Sequence, residues 1–409
     1  MSPERAGRLA DATLVLLAFA LSLSIAVSEI LLGAAIVLWL LSRPWRRPWP
    51  RGLVVLAGLT GALAGAWLLA SATASDPLAS LVKARKLYSI VLVFLVADRA
   101  REHAVLVRLA IAALAGGAVA SAFGVVSFIA IRAAGTIYGH RMHAFFSTAM
   151  TSGNVFAMQG IAALAAAVSG AGRRVRTAGL MAAVLFAIAL ATTLTRSSWL
   201  GFLAGAAVVL AVRRPRALLV LALVVVLAFA FGPAEIRQRG RSIADPTWVT
   251  NQGRVSLWKS GLAVLADHPW TGVGLADHTG VILRYRRADA TFPAGHFHNN
   301  PVQIAASTGI VGLLAWLAWM GGVLVLLLAG RNGPRRAWAW TGVAIWMAFQ
   351  VSGFFDWSFG DAEVANQFFL WSGLGLAALT GPENTGNPGN PGVSGASPVR
   401  PLSGSAGTA

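Results

Sequence analysis

The chain has 409 residues, of which 56% are hydrophobic and 12% charged, with a formal net charge of +18 and no cysteine. A soluble domain carries about 25% charged residues; the deficit here runs along most of the chain, so no large soluble domain offsets it. Disulfides and thiolate metal sites are excluded, and the positive balance reads as arginines anchoring loops beside anionic membrane lipids rather than as nucleic-acid binding.

Apolar runs near the ~20 residues that cross a bilayer recur from Leu9 to Thr380. They place spans at 9–27, 29–42, 52–74, 78–97, 103–131, 145–169, 177–195, 197–212, 217–232, 302–329, 337–355 and 363–380. The first two are short enough to form one re-entrant pair. The first run follows Arg5 and Arg8 but shows no small-residue cleavage site, which predicts a retained helix.

Arginine clusters punctuate alternate loops: Arg43, Arg46, Arg47 and Arg51; Arg99 and Arg101; Arg173, Arg174 and Arg176; Arg213, Arg214 and Arg216; Arg331, Arg335 and Arg336. All share the parity of the N-terminus, which puts both termini in the cytoplasm and supports an even count near twelve. The expected fold class is therefore an all-α integral membrane protein of about 12 transmembrane helices with one large outer loop. Residues 1–232 carry spans one to nine, 233–301 form the loop, 302–380 carry the last three spans, and 381–409 read as a disordered cytoplasmic tail rich in Pro, Gly, Asn and Ser.

Within the loop, Val255, Trp258, Leu262 and Leu265 recur at helical spacing over 253–267. Pro269 ends that helix, and Gly272 and Gly274 mark a turn. The stripe predicts a helix lying on the membrane surface or packed within a small outer subdomain.

The outer loops nevertheless hold many cations: Lys83, Arg85, Lys86, Arg132, Arg141, Arg196, Arg237, Arg239, Arg241, Arg254, Lys259, Arg284, Arg286 and Arg287. Long loops escape the topology rule. Arg196 and the Lys83, Arg85 and Lys86 group sit at the mouths of spans, where a cation calls for an anion, and phosphate suits the arginine fork. Six of the seven histidines share this side, namely His140, His143, His268, His278, His296 and His298, with only His103 opposite.

Four stretches stand out: T-R-S-S-W-L-G at 195–201, N-Q-G-R-V-S-L-W at 251–258, H-P-W-T-G-V-G-L at 268–275 and G-H-F-H-N-N-P-V-Q at 295–303. In this order they resemble the O-antigen ligase and polymerase family of bacterial inner membranes. The resemblance covers about 190–310 and the layout of spans around the loop; one departure is Val302 where leucine is usual. It implies a GT-C-like architecture and transfer of a glycan on the periplasmic face. It also implies an undecaprenyl-pyrophosphate-linked glycan donor, a lipid A–core acceptor and no cofactor. Carried over by position, Arg196, Arg254 and His298 are the implied catalytic residues. Lys83, Arg85, Lys86, Arg141, His143, His296 and Asn299 are the candidate substrate-binding residues.

The chemistry agrees. A departing lipid pyrophosphate builds negative charge that preorganised cations stabilise, and a sugar hydroxyl needs a base such as His298. Arg254 is expected in the first turn of its helix, where the dipole adds to its field. Other readings stand beside these: Arg196 as a headgroup anchor, Arg254 paired with Asp245 or Asp267, and His298 as a packing histidine capped by Asn299 or Asn300. His296 and His298 alone make an incomplete metal site, and no carboxylate pair suits a divalent ion, so metal-independent transfer is expected. An O-antigen polymerase or a protein O-oligosaccharyltransferase is the same-class alternative. A lipid-linked sugar transporter is the alternative of another class, and it is disfavoured because the spans carry few ionisable groups at mid-depth.

Overall fold

The computed structural model describes residues 1–135, 141–287 and 295–380, and no strand occurs among the described residues. The tail expected at 381–409 and His140 lie outside them. The first half runs α1 (Pro3–Ala20), α2 (Ile25–Leu41), α3 (Arg51–Ala72), α4 (Pro77–Ala84), α5 (Val91–Arg99), α6 (His103–Ala133), α7 (Ala149–Ala167) and α8 (Arg173–Thr192). It continues with α9 (Arg196–Arg213), α10 (Ala217–Phe231), α11 (Ala234–Arg241), α12 (Val249–Asp267), α13 (His278–Arg284), α14 (Asn300–Ala329), α15 (Arg336–Gly353) and α16 (Ala362–Leu376).

Five helical stretches are long and apolar enough to cross a membrane: Arg51–Ala72, His103–Ala133, Arg173–Thr192, Arg196–Arg213 and Asn300–Asn332. A sixth is the pair α10–α11 if its 112° bend is one broken span. That is a multi-pass membrane protein, but length and apolarity alone do not reach the twelve spans read from sequence. The other expected spans are helical yet short, interrupted or more polar. Helix α2 has 17 residues and α16 has 15. α1 carries Glu4, Arg5, Arg8 and Asp11, while Asn154 and Gln159 interrupt the apolar run of α7. The run 78–97 is three pieces, α4, a 3-10 turn at Arg85–Ile90 and α5, so Lys83, Arg85 and Lys86 lie at a helix break instead of a short loop.

One core joins the bundle, with Phe156, Phe186, Trp316, Trp319, Phe349, Phe368 and Trp371 fully buried. α9 and α15 meet through a Gly201–Gly205 seam. A Cβ at these glycines would fall 2.7 Å from the Ala348 carbonyl oxygen and 2.6 Å from that of Ala344, so only a bare backbone allows this approach. The seam fixes the start of α9 against the turn that follows α15. By contrast α10, apolar all round, has no buried residue, as a lipid-facing helix would.

The bundle has two distinct ends. At one, Arg47 and Arg101 pair with buried Asp98 and Arg99 with Asp11. There Arg335 also donates to the carbonyls of Ala100, Arg101 and Ala377. Three of the arginine clusters are thus joined by contact. The other end gathers the starts of α7, α9, α14 and α16 with α11, α12 and α13.

Two expectations about the loop change. The buried face of α12 is Gly253, Ser256, Leu257, Ser260, Gly261 and Val264, opposite the predicted stripe; Val255 and Leu262 are exposed. Small residues win that face because α12 packs closely on α14: a Cβ at Gly261 would lie 2.4 Å from Val302 Cγ1. The helix also begins at Val249, which moves Arg254 beyond its first turn, so the helix-terminus contribution does not apply.

Candidate functional site

The H-N-x-x-x-Q stretch enters α14 through a sharp bend. Asn299 caps the helix, accepting from Val302 N at 2.9 Å and donating to the Phe354 carbonyl at 2.9 Å. Its amide therefore serves the fold. Gln303 reaches back, its Oε1 accepting from Phe297 N at 2.9 Å and its Nε2 donating to Ser307 Oγ at 3.1 Å. Ser307 Oγ in turn meets His278 Nε2 at 2.9 Å. Between these anchors His298 adopts φ 50°, the left-handed region that costs a side-chain-bearing residue energy and needs surrounding structure to enforce it. Trp258 of α12 supplies part of that support, donating to the His298 carbonyl at 3.3 Å.

α14 breaks once more at Gly309 (φ 62°). The carbonyls of Ala306 and Ser307 accept from Val273 N and Gly274 N at 3.0 and 2.9 Å. The H-P-W-T-G-V-G-L turn is thus the partner of a broken helix, satisfying backbone groups that would otherwise be orphaned.

His298 Nδ1 lies 3.6 Å from Asp356 Oδ1. Asp356, in the turn after α15, is buried and held by Trp357 N at 2.9 Å and Asn154 Nδ2 at 3.3 Å. Ser198 of α9 donates to Asn154 Oδ1 at 2.7 Å, so α7, α9 and the 354–361 turn hold the carboxylate jointly. Asp361 caps α16 and accepts from Thr151 Oγ1 at 2.7 Å; burial and then Asp356 push its carboxyl up.

Four arginines share the surrounding field. Arg141 donates to the Thr193 carbonyl at 3.0 Å and to Thr195 Oγ1 at 2.6 Å. Burial first, then Arg239 and Arg254, lowers its pKa to about 10 against the opposing pull of Asp356. Arg254 is likewise lowered by burial, with Asp356 raising and Arg239 lowering it. Among the described residues the Arg254 guanidinium has no hydrogen-bond partner, and it pairs with neither expected aspartate. Asp245 accepts from Thr247, and Asp267 from the Tyr285 hydroxyl.

Arg196 differs. It is buried, and its fork donates to the Ser242 carbonyl and hydroxyl, to Thr250 Oγ1 at 2.7 Å and to Asn251 Oδ1 at 2.8 Å. It is the tie between α9 and the loop, which a headgroup anchor would not be.

The His296 ring lies beside that of His298, tilted by 53° with centroids 4.0 Å apart, and its Nδ1 accepts from His298 N at 3.2 Å. Burial, then His298, lowers its pKa to about 4, so it is neutral. His296, His298 and Asp356 could present ligand atoms within 4.8 Å of one another, supplying the carboxylate that the sequence reading lacked for a metal. The arginines beside them oppose a divalent cation, and His296 Nδ1 is already engaged.

A second cationic feature adjoins. A cavity of about 300 Å³ is lined by Lys83, Lys86, His278, Gly295, Trp357 and Phe359, among others. Arg85 is exposed and does not line it. His143 is exposed, its Nδ1 3.2 Å from the Phe146 carbonyl of its own loop.

Asp356 and Arg239 escaped the sequence reading as site residues. Asp356 had a signal: D-W-S-F-G-D-A-E at 356–363 places three of the chain's 15 acidic residues between the end of α15 and the first turn of α16.

Residues 181–317 match the family model described as O-antigen ligase. A comparison with curated proteins finds no match.

Proposed function

From an O-antigen ligase family domain at 181–317, a segment that contains Arg196, Arg254 and His298, we propose that the chain transfers a glycan from undecaprenyl pyrophosphate to a sugar hydroxyl of lipid A–core. The site would face the periplasm, with the chain threading the inner membrane about twelve times and both termini cytoplasmic, as arginine parity favours. The observation that carries the reading is His298 at 3.6 Å from Asp356, set among arginines of which Arg254 has a guanidinium uncommitted among the described residues.

In the proposed reaction His298 takes the proton of the acceptor hydroxyl, and the oxygen attacks the anomeric carbon. The bond from that carbon to the pyrophosphate oxygen breaks, and its electron pair leaves with the lipid pyrophosphate. Arg254 and Arg141, with Arg239 adding to their field, oppose the charge that develops on the leaving group. Arg196 holds the loop in place and adds its charge. Asp356 orients the His298 ring and stabilises the imidazolium formed during transfer. No step calls for a metal.

Reconstitution of the full chain in nanodiscs with lipid-linked glycan and lipid A–core tests this. Transfer to the core is expected, with a folded His298→Ala variant inactive. Extension of the glycan without transfer to the core identifies a polymerase instead, and inactivity of the wild-type chain towards both acceptors rejects the reading.

A further inference from the structure

The chain has three lysines among its 33 basic residues, all three exposed; two of them, Lys83 and Lys86, line the same cavity, and the third, Lys259, lies on α12. Lys86 Nζ donates to the Gly360 carbonyl at 3.1 Å, which ties it to the cavity wall and leaves further N–H groups available. Lys83 forms no ion pair among the described residues, and its charge acts on neighbouring His278. Asp277 also lines the cavity, but its carboxylate caps α13, accepting from Gly280 N at 3.0 Å. Trp67, Trp357 and Phe359 give the remaining wall an aromatic face.

The volume of about 300 Å³ sits at the lower end of ligand pockets, about 300–1,000 Å³, so the cavity suits part of a glycan and not a polymer. Its walls include residues from the two segments that also bear the reacting pair. Gly295 precedes His296 and His298, and Trp357 follows Asp356. The arginines come from other elements, the 141–148 loop, α9, α11 and α12. Arginine's planar fork suits a pyrophosphate, whereas lysine is a compact point charge able to meet a single anionic oxygen at an open rim. The cations that line the cavity are lysines and the arginines near His298 lie on other elements, as a reaction with two substrates would use.

We propose that this cavity binds an acidic substituent, a phosphate or a carboxylate, on the acceptor sugar. The proposal rests on the glycan-transfer reading for the word acceptor, but not for the binding of an acidic sugar.

Lysine acetylation followed by mass spectrometry separates the two, because Lys259 serves as an internal control. The full chain in neutral-lipid nanodiscs is acetylated with glucose 6-phosphate, galacturonate or glucose present. Several-fold slower modification of Lys83 and Lys86, with Lys259 unchanged, is expected for the two acidic sugars only. Equal protection by glucose, or no protection by either acidic sugar, overturns the proposal. Protection by phosphatidylglycerol nanodiscs without sugar reassigns the lysines to lipid headgroups and also overturns it. In the transfer assay, the Lys83→Gln/Lys86→Gln variant should raise the KM for acceptor about tenfold or more, as loss of charge-assisted hydrogen bonds does, with donor KM unchanged. A rise confined to donor KM refutes the acceptor assignment. Failure of wild-type transfer alongside lysine protection would remove the ligase reading and leave the acidic-sugar site standing.

Discussion

Replacing Asp356 by Asn removes one charge while keeping the shape that Asn154 and Trp357 hold. Its effect follows from the 3.6 Å separation between Asp356 Oδ1 and His298 Nδ1. Two unit charges at that distance attract by about 4–5 kcal/mol at an effective dielectric constant of about 20. In the proposed reaction the attraction acts when His298 carries the proton taken from the acceptor, so it would stabilise the transition state. Water reaches the His298 side chain, which is 18% exposed, and weakens it. We therefore expect kcat to fall about 10²- to 10³-fold. Donor KM should stay level or fall, because Asp356 is the carboxylate that offsets Arg141 and Arg254. Initial rates in nanodiscs with each substrate varied in turn measure both, with thermal unfolding as the folding control. A kcat within about threefold of wild type, or a loss carried by donor KM, would refute a His298–Asp356 unit.

Arg254→Ala should lower kcat/KM about 10²- to 10³-fold, as loss of an oxyanion donor does, with Arg254→Lys restoring part; wild-type rates in the alanine variant would remove Arg254 from the mechanism. Gly261→Val should cost about 1–3 kcal/mol by overpacking, because its Cβ would meet Val302 Cγ1 at 2.4 Å and Phe297 at 3.1 Å; an unchanged melting temperature contradicts the α12–α14 packing. Burial lowers His278 to about 4 from 6.5, so below about pH 6.5 the unfolded chain binds more protons than the folded one. Stability is then complete above pH 6.5 and is lost as pH falls toward 4, each unit of pKa depression being worth about 1.4 kcal/mol. His278→Gln should flatten that acid slope, though not abolish it because His296 shifts the same way; an unaltered slope would show that His278 titrates normally. Transfer should proceed at full rate in excess chelator, and a loss restored by magnesium or manganese would make His296, His298 and Asp356 a metal site.

Periodicity and composition exposed the helices, because an apolar run states its own length. They did not expose where runs break, since Lys83–Lys86 and Gly309 are set by neighbours distant in sequence. The loop helix shows the same limit. Val255, Trp258, Leu262 and Leu265 form the larger apolar stripe, yet close backbone approach at Gly261 selects the small-residue face for burial. Arg196, Arg254 and His298 were legible as motif positions. Their geometry was not: the fork of Arg196 is committed to Ser242, Thr250 and Asn251, and Asp356 lies 58 residues beyond His298 in the chain.

The arginines of the site are compensated differently from those around Asp98 and Asp11. At the end where α15 begins, Arg47, Arg99 and Arg101 meet Asp98 and Asp11 directly, and the Asp98 side chain is wholly buried. Those cations are compensated within the fold. At the end where α9 and α14 begin, the charges of Arg239 and Arg254 act against those of Arg141 and Arg196, and Asp356 pulls the other way on Arg141 and Arg254. Clustered cations destabilise a fold unless something outside it repays them. Among the described residues Arg132 pairs with Glu235 at this end too, but Arg141, Arg196 and Arg254 have no carboxylate at ion-pair distance and stand near a strained histidine. That excess is suited to an anionic group that arrives, reacts and departs, and a permanent internal carboxylate would compete with it for the same guanidinium groups.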